Sequence, residues 1–304
     1  MSCYEKKPLS FEAQAEKLLS RGLIADRAAL IARLQATSYS RLTGYLYTFR
    51  TDHDGYVPGT TLDRVWQLYT FDHRLRMLML DAIEGIEVQI RTQLAYHFSH
   101  AFGPFAYLDA VNFPNFDPAK RDFEKWESKL REQMRRSRDI KGREDFVIHF
   151  FKKYGDAHHE LPIWMMIELM DFGSTLSFFR GVNDEIRKAV AATIGLPDKV
   201  ILSWLLALNS IRNRCAHHAR LWNWKCGCPV LLPQPNKFPE WHSPPLVNNQ
   251  MGIMLSICRY WLNRVHSTNH WTHKALELFA AFPDVSLADM GLPPDWRNHP
   301  LWKV

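Results

Sequence analysis

From about Thr61 to His100 the chain repeats apolar residues at three- and four-residue steps, with Ile83, Ile86, Ile90 and Leu94 on a single stripe. That period belongs to an α-helix, and a stripe sustained for so long calls for a central helix against which the other elements must pack. Strand-type alternation is nearly absent from the rest of the chain. An all-α fold is therefore expected.

The remaining punctuation divides the chain into further helices. Ser10 offers an N-cap to a helix reaching about Arg21, a second is expected over Asp26 to Gln35, and a third from Tyr39 through Leu46. The turn cluster Asp52-His-Asp-Gly-Tyr-Val-Pro-Gly closes this unit. After the central helix, Phe102-Gly-Pro is a break, and the loop Asn112-Phe-Pro-Asn-Phe-Asp-Pro leads into a charged helix between Lys120 and Arg143. Helices are expected at 144–154, 162–179, 183–193 and 199–217. From Cys226 to Pro245 six prolines deny a regular helix. Ile253, Ile257, Trp261 and Val265 then make one helical face, another helix follows over Lys274 to Ala281, and the tail is anchored by Trp296. We divide the chain into an N-terminal helical region (1–60), a helical core (61–225), and a proline-rich crossing with a C-terminal helical extension (226–304).

With 304 residues, 46% hydrophobic and 13% aromatic, the chain has the material for a substantial core and is not a disordered one. The N-terminus lacks the apolar core of a secretory signal and no apolar run is long enough to span a bilayer, so a cytoplasmic protein without a membrane partner is expected. Cys3, Cys215, Cys226, Cys228 and Cys258 are odd in number and irregularly spaced, which argues for reduced thiols. The net charge of +6 suits an anionic partner without specifying one. The densest basic stretch, Lys120 to Arg143, reads first as a solvated helix face with acid–base pairs and second as a groove that follows a phosphate backbone.

The stretch Asn209-Ser-Ile-Arg-Asn-Arg-Cys-Ala-His-His-Ala-Arg-Leu-Trp-Asn223 sets Arg212 five positions before His217, where an apolar helix becomes polar. Arginine offers a permanently charged planar fork suited to phosphate, and histidine gives or takes a proton near neutral pH. RNA carries a 2′-hydroxyl beside each phosphate. Cleavage thus needs a base for that oxygen, an acid for the leaving 5′-oxygen and positive charge on the phosphorane. Arg212 and His217 are the candidate catalytic pair. Asn213, one turn before His217, is placed to orient the imidazole or touch RNA, and His218 is the second choice as proton carrier. Arg214 and Arg220 are candidate supporting or RNA-binding groups. Five residues turn an ideal helix by about 140°, so the pair needs a helix that ends within the motif or a neighbouring element that closes the site. The plain structural reading makes Arg212 a helix-end residue and satisfies His217 with a carbonyl.

Four segments resemble the Abi-like, or abortive-infection, proteins, a branch of the HEPN superfamily. They are Tyr39-Ser-Arg-Leu-Thr-Gly-Tyr-Leu-Tyr-Thr-Phe-Arg50, the run from Asp72 to Arg91, Pro162-Ile-Trp-Met-Met-Ile-Glu-Leu-Met-Asp-Phe-Gly173, and Ile211 to Asn223. The resemblance covers most of residues 10–225. It implies a HEPN-type helical bundle, commonly a homodimer, with Arg212 and His217 catalytic in an endoribonuclease that serves defence against phage. No cofactor is implied. Partners implied are the RNA substrate and, in some relatives, a small antitoxin RNA or protein.

Three rival readings stand beside this one. Arg91 and His97, six positions apart, are a second Arg–His pair of similar spacing, but the plain reading pairs Arg91 with Glu87 one turn earlier and lays His97 on the core or a helix end. A second possibility sets Glu84, Glu87 or Arg91 beside the motif helix to align it. Cys215, His217, His218, Cys226 and Cys228 are zinc-donor types, though their spacing matches no two-by-two zinc pattern, so no metal site is assigned. Finally, a catalytically silent module that binds RNA or protein would use the same basic residues.

Overall fold

A computed structural model describes residues 7–51, 53–265 and 268–303; the opening residues with Cys3, and Asp52 of the turn cluster, lie outside the described residues. In chain order the helices are α1 (Phe11–Ser20), α2 (Arg27–Thr37), α3 (Tyr39–Leu46), α4 (Leu62–Phe102), α5 (Asp122–Arg138) and α6 (Asp145–Tyr154). They continue with α7 (Ile163–Leu169), α8 (Phe172–Gly181), α9 (Asp184–Ala192), α10 (Asp198–Ala216), α11 (Met251–Val265) and α12 (Trp271–Ala281). Among the described residues there is no strand, only two isolated bridges, so the fold is all-α.

The central helix is α4, 41 residues long and so about 60 Å from end to end. Thr61 caps it by accepting a hydrogen bond from the Arg64 amide, and Gly103 ends it at φ 95°. Ile83, Ile86, Ile90 and Leu94 are all buried, as the periodicity requires. Seven helices pack against α4: α3, α7, α8, α9, α10, α11 and α12. Its buried residues accordingly occupy more than one face.

One expected helix is two. Residues 162–179 break at Met170, which is extended (ψ 136°), because Asp171 serves as the N-cap of α8 and accepts from the Ser174 amide. Lys129 of α5 reaches the same carboxylate at 2.8 Å. In the charged helix α5 three arginines pair with acids: Arg131 with Glu127 and Glu160, Arg135 with Glu132 and Asp139, and Arg136 with Glu132. These exposed acid–base pairs fit the first reading of that run, a solvated helix face.

The proline-rich crossing is pinned by the backbone groups its prolines leave available. The Cys226 and Val230 amides donate to Asn249 and Asn248 carbonyls, and the Trp204 indole donates to Leu231 O at 2.8 Å. Trp241 from the crossing packs against Trp204 of α10, with ring centroids 4.8 Å apart. Trp271 of α12 donates to Leu78 O on α4, while Trp296 and Trp302 bury the tail against Phe279.

Candidate functional site

The motif helix α10 stops at Ala216, inside the Arg212–His217 segment. His217 is the C-cap (φ −88°, ψ 11°), and His218 takes the left-handed conformation at φ 54°. The Ala219 amide donates back to Arg214 O at 2.9 Å and the His218 amide to Cys215 O at 3.0 Å, the paired closing bonds of a left-handed helix end. Glycine usually fills that position; here an imidazole-bearing residue does.

What captures the chain as it leaves the helix is a buried charge. Asp72 on α4 is fully buried, and its carboxylate accepts from the Leu221 amide at 3.0 Å, the Trp222 amide at 2.5 Å and the Tyr45 hydroxyl of α3 at 2.6 Å. Arg76, one turn on along α4 and also buried, completes the set by pairing with Asp72. Burial, then the adjacent Asp72 carboxylate, pushes the Tyr45 phenol above its ordinary value, so it remains a donor. Three separate parts of the chain are thereby fixed to one carboxylate.

The turn so fixed forms one wall of an open cavity of about 870 Å³. From the motif come Arg214, His217, His218 and Arg220; from α3 and the turn after it come Tyr39, Arg41, Tyr47 and Arg50; Arg21 follows α1. Arg41 donates to His218 O at 2.5 Å, Arg220 donates to Gly44 O, and Arg214 donates to Arg220 O at 2.7 Å while lying 4.7 Å from the Trp224 ring. Arg21 and Arg50 share Asp54 as an ion-pair partner. No Asp or Glu appears among the described residues that line the cavity, against five arginines. Neither the His217 nor the His218 imidazole makes a hydrogen bond among the described residues, and both are exposed. The cavity thus offers an anion concentrated positive charge and two free proton carriers.

Arg212 is not part of it. It lines a separate depression with Met77, Asp81, Glu84 and Glu87 of α4, and makes no hydrogen bond or ion pair among the described residues. The helix ends too late to bring Arg212 round to His217, because the C-cap backbone remains close to helical, and the 140° rotation persists. Asn213 is exposed, one turn before His217, and its carbonyl accepts the His217 amide at 3.0 Å. Burial pushes the Glu87 carboxyl above the ordinary range, against the opposing pull of Arg91 and Arg212. Arg91 pairs with Glu87 and donates to Met170 O, tying α4 to the break between α7 and α8. His97 is half-buried and packs edge-on against Tyr96.

The zinc donors do not assemble: among the described residues no three His, Cys, Asp or Glu side chains converge as a metal would require. Cys215 is buried, and that burial pushes its thiol up to about 12.

Asp72, Arg76, Tyr45, Arg21, Arg41, Tyr47 and Arg50 were not among the candidates drawn from sequence. Signals for some of them are present. Asp72 and Arg76 form an acid–base pair four apart amid Phe71, Leu75 and Met79, which is a charged pair on an apolar face. Arg41, Tyr47 and Arg50 lie in the basic and aromatic segment from Tyr39 to Arg50.

Among the described residues, no helix is long and apolar enough to cross a membrane. A family model described as Abi-like protein matches residues 32–223, which takes in α3, α4 and the whole of the cavity's motif wall. No curated protein and no solved structure matches the chain.

Proposed function

We infer that this chain, which belongs to the Abi-like protein family, is an RNA-cleaving effector of abortive infection with a HEPN-type active site. The observation that carries the reading is the cavity: two imidazoles without a hydrogen bond and five arginines line it, with no Asp or Glu among the described lining residues. Attack of a 2′-hydroxyl on the adjacent phosphate needs a proton acceptor, a proton donor and a cationic surround for the phosphorane, and requires no bound metal. His217 is assigned proton transfer, His218 the second proton-carrying position, and Asn213 the orientation of His217. Arg41 and Arg50 add positive charge to the phosphate path. The products are a 2′,3′-cyclic phosphate and a 5′-hydroxyl.

Arg212 enters this scheme from a second copy of the chain. Within one chain Arg212 and His217 line different cavities, so a composite site in a homodimer, Arg212 of one copy with His217 of the other, is what the reading demands. A second reading is favoured by the same separation. A module that binds RNA or a protein partner without cutting needs no meeting of the two residues.

One experiment divides them: cleavage of a labelled single-stranded RNA and its 2′-deoxy counterpart in excess EDTA by the wild type, Arg212→Ala and His217→Ala. The nuclease reading expects only RNA to be cut, a cyclic phosphate end, and loss of cutting in both variants with folding intact. Mixing the two inactive variants should restore activity towards about a quarter of wild type, because half the dimers are mixed and each holds one intact composite site. Cutting that survives both substitutions sinks the site assignment. Tight binding with every RNA left whole favours the silent module.

A further inference from the structure

The cavity carries more than proton transfer and charge neutralisation require. Tyr47, on the single turn after α3, is 64% exposed while lining the cavity. Arg50 sits beside it, its guanidinium 5.7 Å from the ring centroid. Each of the N-terminal arginines in the cavity is fixed through part of its fork: Arg41 on His218 O, and Arg21 and Arg50 on Asp54. A guanidinium has five N–H donors, so each retains donors for a ligand. Arg214 and Arg220 are spent differently: Arg214 donates to Arg220 O within the turn and Arg220 to Gly44 O of α3, which holds the turn together and against α3.

We propose that this cavity takes an unpaired nucleotide of single-stranded RNA, its base against Tyr47 and its phosphates against Arg41 and Arg50, so that the N-terminal helices select the substrate. The inference rests on the reading of the site as one that engages RNA. Three properties single out an unpaired strand. A concave space of 870 Å³ is of the size that encloses a nucleotide-sized ligand, whereas a duplex is a convex rod. Paired bases have both faces covered by their neighbours, so an exposed tyrosine ring has nothing to stack on in a duplex; in a single strand every base offers a face. Arginines at the rim follow the phosphates without reading sequence. Tyr47 is the discriminating element, since the charge alone would serve any polyanion.

The test uses the full chain and a short fluorescein-labelled oligoribonucleotide with 2′-O-methyl groups throughout, which cannot be cut, either single-stranded or annealed to its complement. Anisotropy at several salt concentrations gives affinity and salt slope. The single strand should bind at least about tenfold more tightly than the duplex, and Tyr47→Ala should weaken it about five- to a hundredfold while leaving the salt slope unchanged. Tyr47→Trp should retain the affinity, and Arg50→Gln should lower the salt slope by about one. Equal binding of the duplex, or an unchanged affinity in Tyr47→Ala, overturns the proposal, as does failure of both oligonucleotides to bind. The two readings fail separately. If the single strand binds as described but unmodified RNA is never cut, the nuclease reading falls and this one stands. If RNA is cut in EDTA while Tyr47→Ala changes nothing, the reverse holds.

Discussion

Removing the Asp72 charge tests whether the site is held from beneath. Asp72→Asn leaves an oxygen for the Leu221 and Trp222 amides but strips the counter-charge from Arg76, which is only 3% exposed. Breaking a buried ion pair from one side costs about 3–5 kcal/mol, because the remaining charge cannot return to water. Asp72→Ala also orphans the two buried amides, at about 1–3 kcal/mol each in isolation. The total approaches the whole stability of an ordinary domain, about 5–15 kcal/mol. Asp72→Asn combined with Arg76→Met removes the stranded guanidinium and should recover at least half of the loss. Urea unfolding followed by tryptophan fluorescence measures the series, with expected order wild type, double variant, Asn, Ala. If Asp72→Asn loses under about 1 kcal/mol, or the double variant is no more stable than the Asn single, the buried pair is not what fixes the turn.

Two other perturbations address the motif and its neighbour. His218 holds a left-handed conformation that costs an L-residue about 1–2 kcal/mol, so His218→Gly should stabilise the fold by about 0.5–1 kcal/mol after the glycine's extra unfolded-state freedom is counted. A raised thermal midpoint with diminished RNA cleavage would assign the imbalance to the lost imidazole, and a lowered midpoint would contradict the strain argument. Glu87 has its folded pKa raised by burial, so its contribution to stability is fully present below the ordinary carboxylate value and is lost as pH rises through the folded value. Glu87→Gln mimics the protonated form; the stability of wild type relative to this variant should therefore fall as pH climbs from about 4 towards neutrality. A relative stability that rises over that window would reverse the sign and show that Arg91 and Arg212 outweigh burial.

The helical architecture was readable because burial writes a period into the chain: Ile83, Ile86, Ile90 and Leu94 recur where a helix puts one face on the core. The cap at Ser10 was readable for a similarly local reason. The split at Met170 was not, since the apolar run continues through it and the break depends on Asp171 meeting the Ser174 amide and Lys129. The wall of the cavity was hidden more deeply. Arg41 and His218 are 177 positions apart, and Asp72 and Trp222 are 150 apart. No local window joins such residues, although an acid and a base four apart on an apolar face do announce that some distant polar group must come to meet them.

The five-residue spacing of Arg212 and His217 gains meaning from the same packing. Position 212 falls on the side of α10 that faces Glu84 and Glu87 of α4, while the helix end puts 217 and 218 against α3. The two residues could share a cavity within one chain only if α10 unwound before 212, and the buried Ile211 and Cys215 oppose that. Unwinding would expose both and would pull the Leu221 and Trp222 amides off Asp72, at a cost of several kcal/mol. A rigid motif with its arginine and histidine on opposite sides is poorly suited to act as a self-contained centre. It is well suited to a site completed by another molecule, whether a second copy that presents its own Arg212 or a strand of RNA that spans the gap.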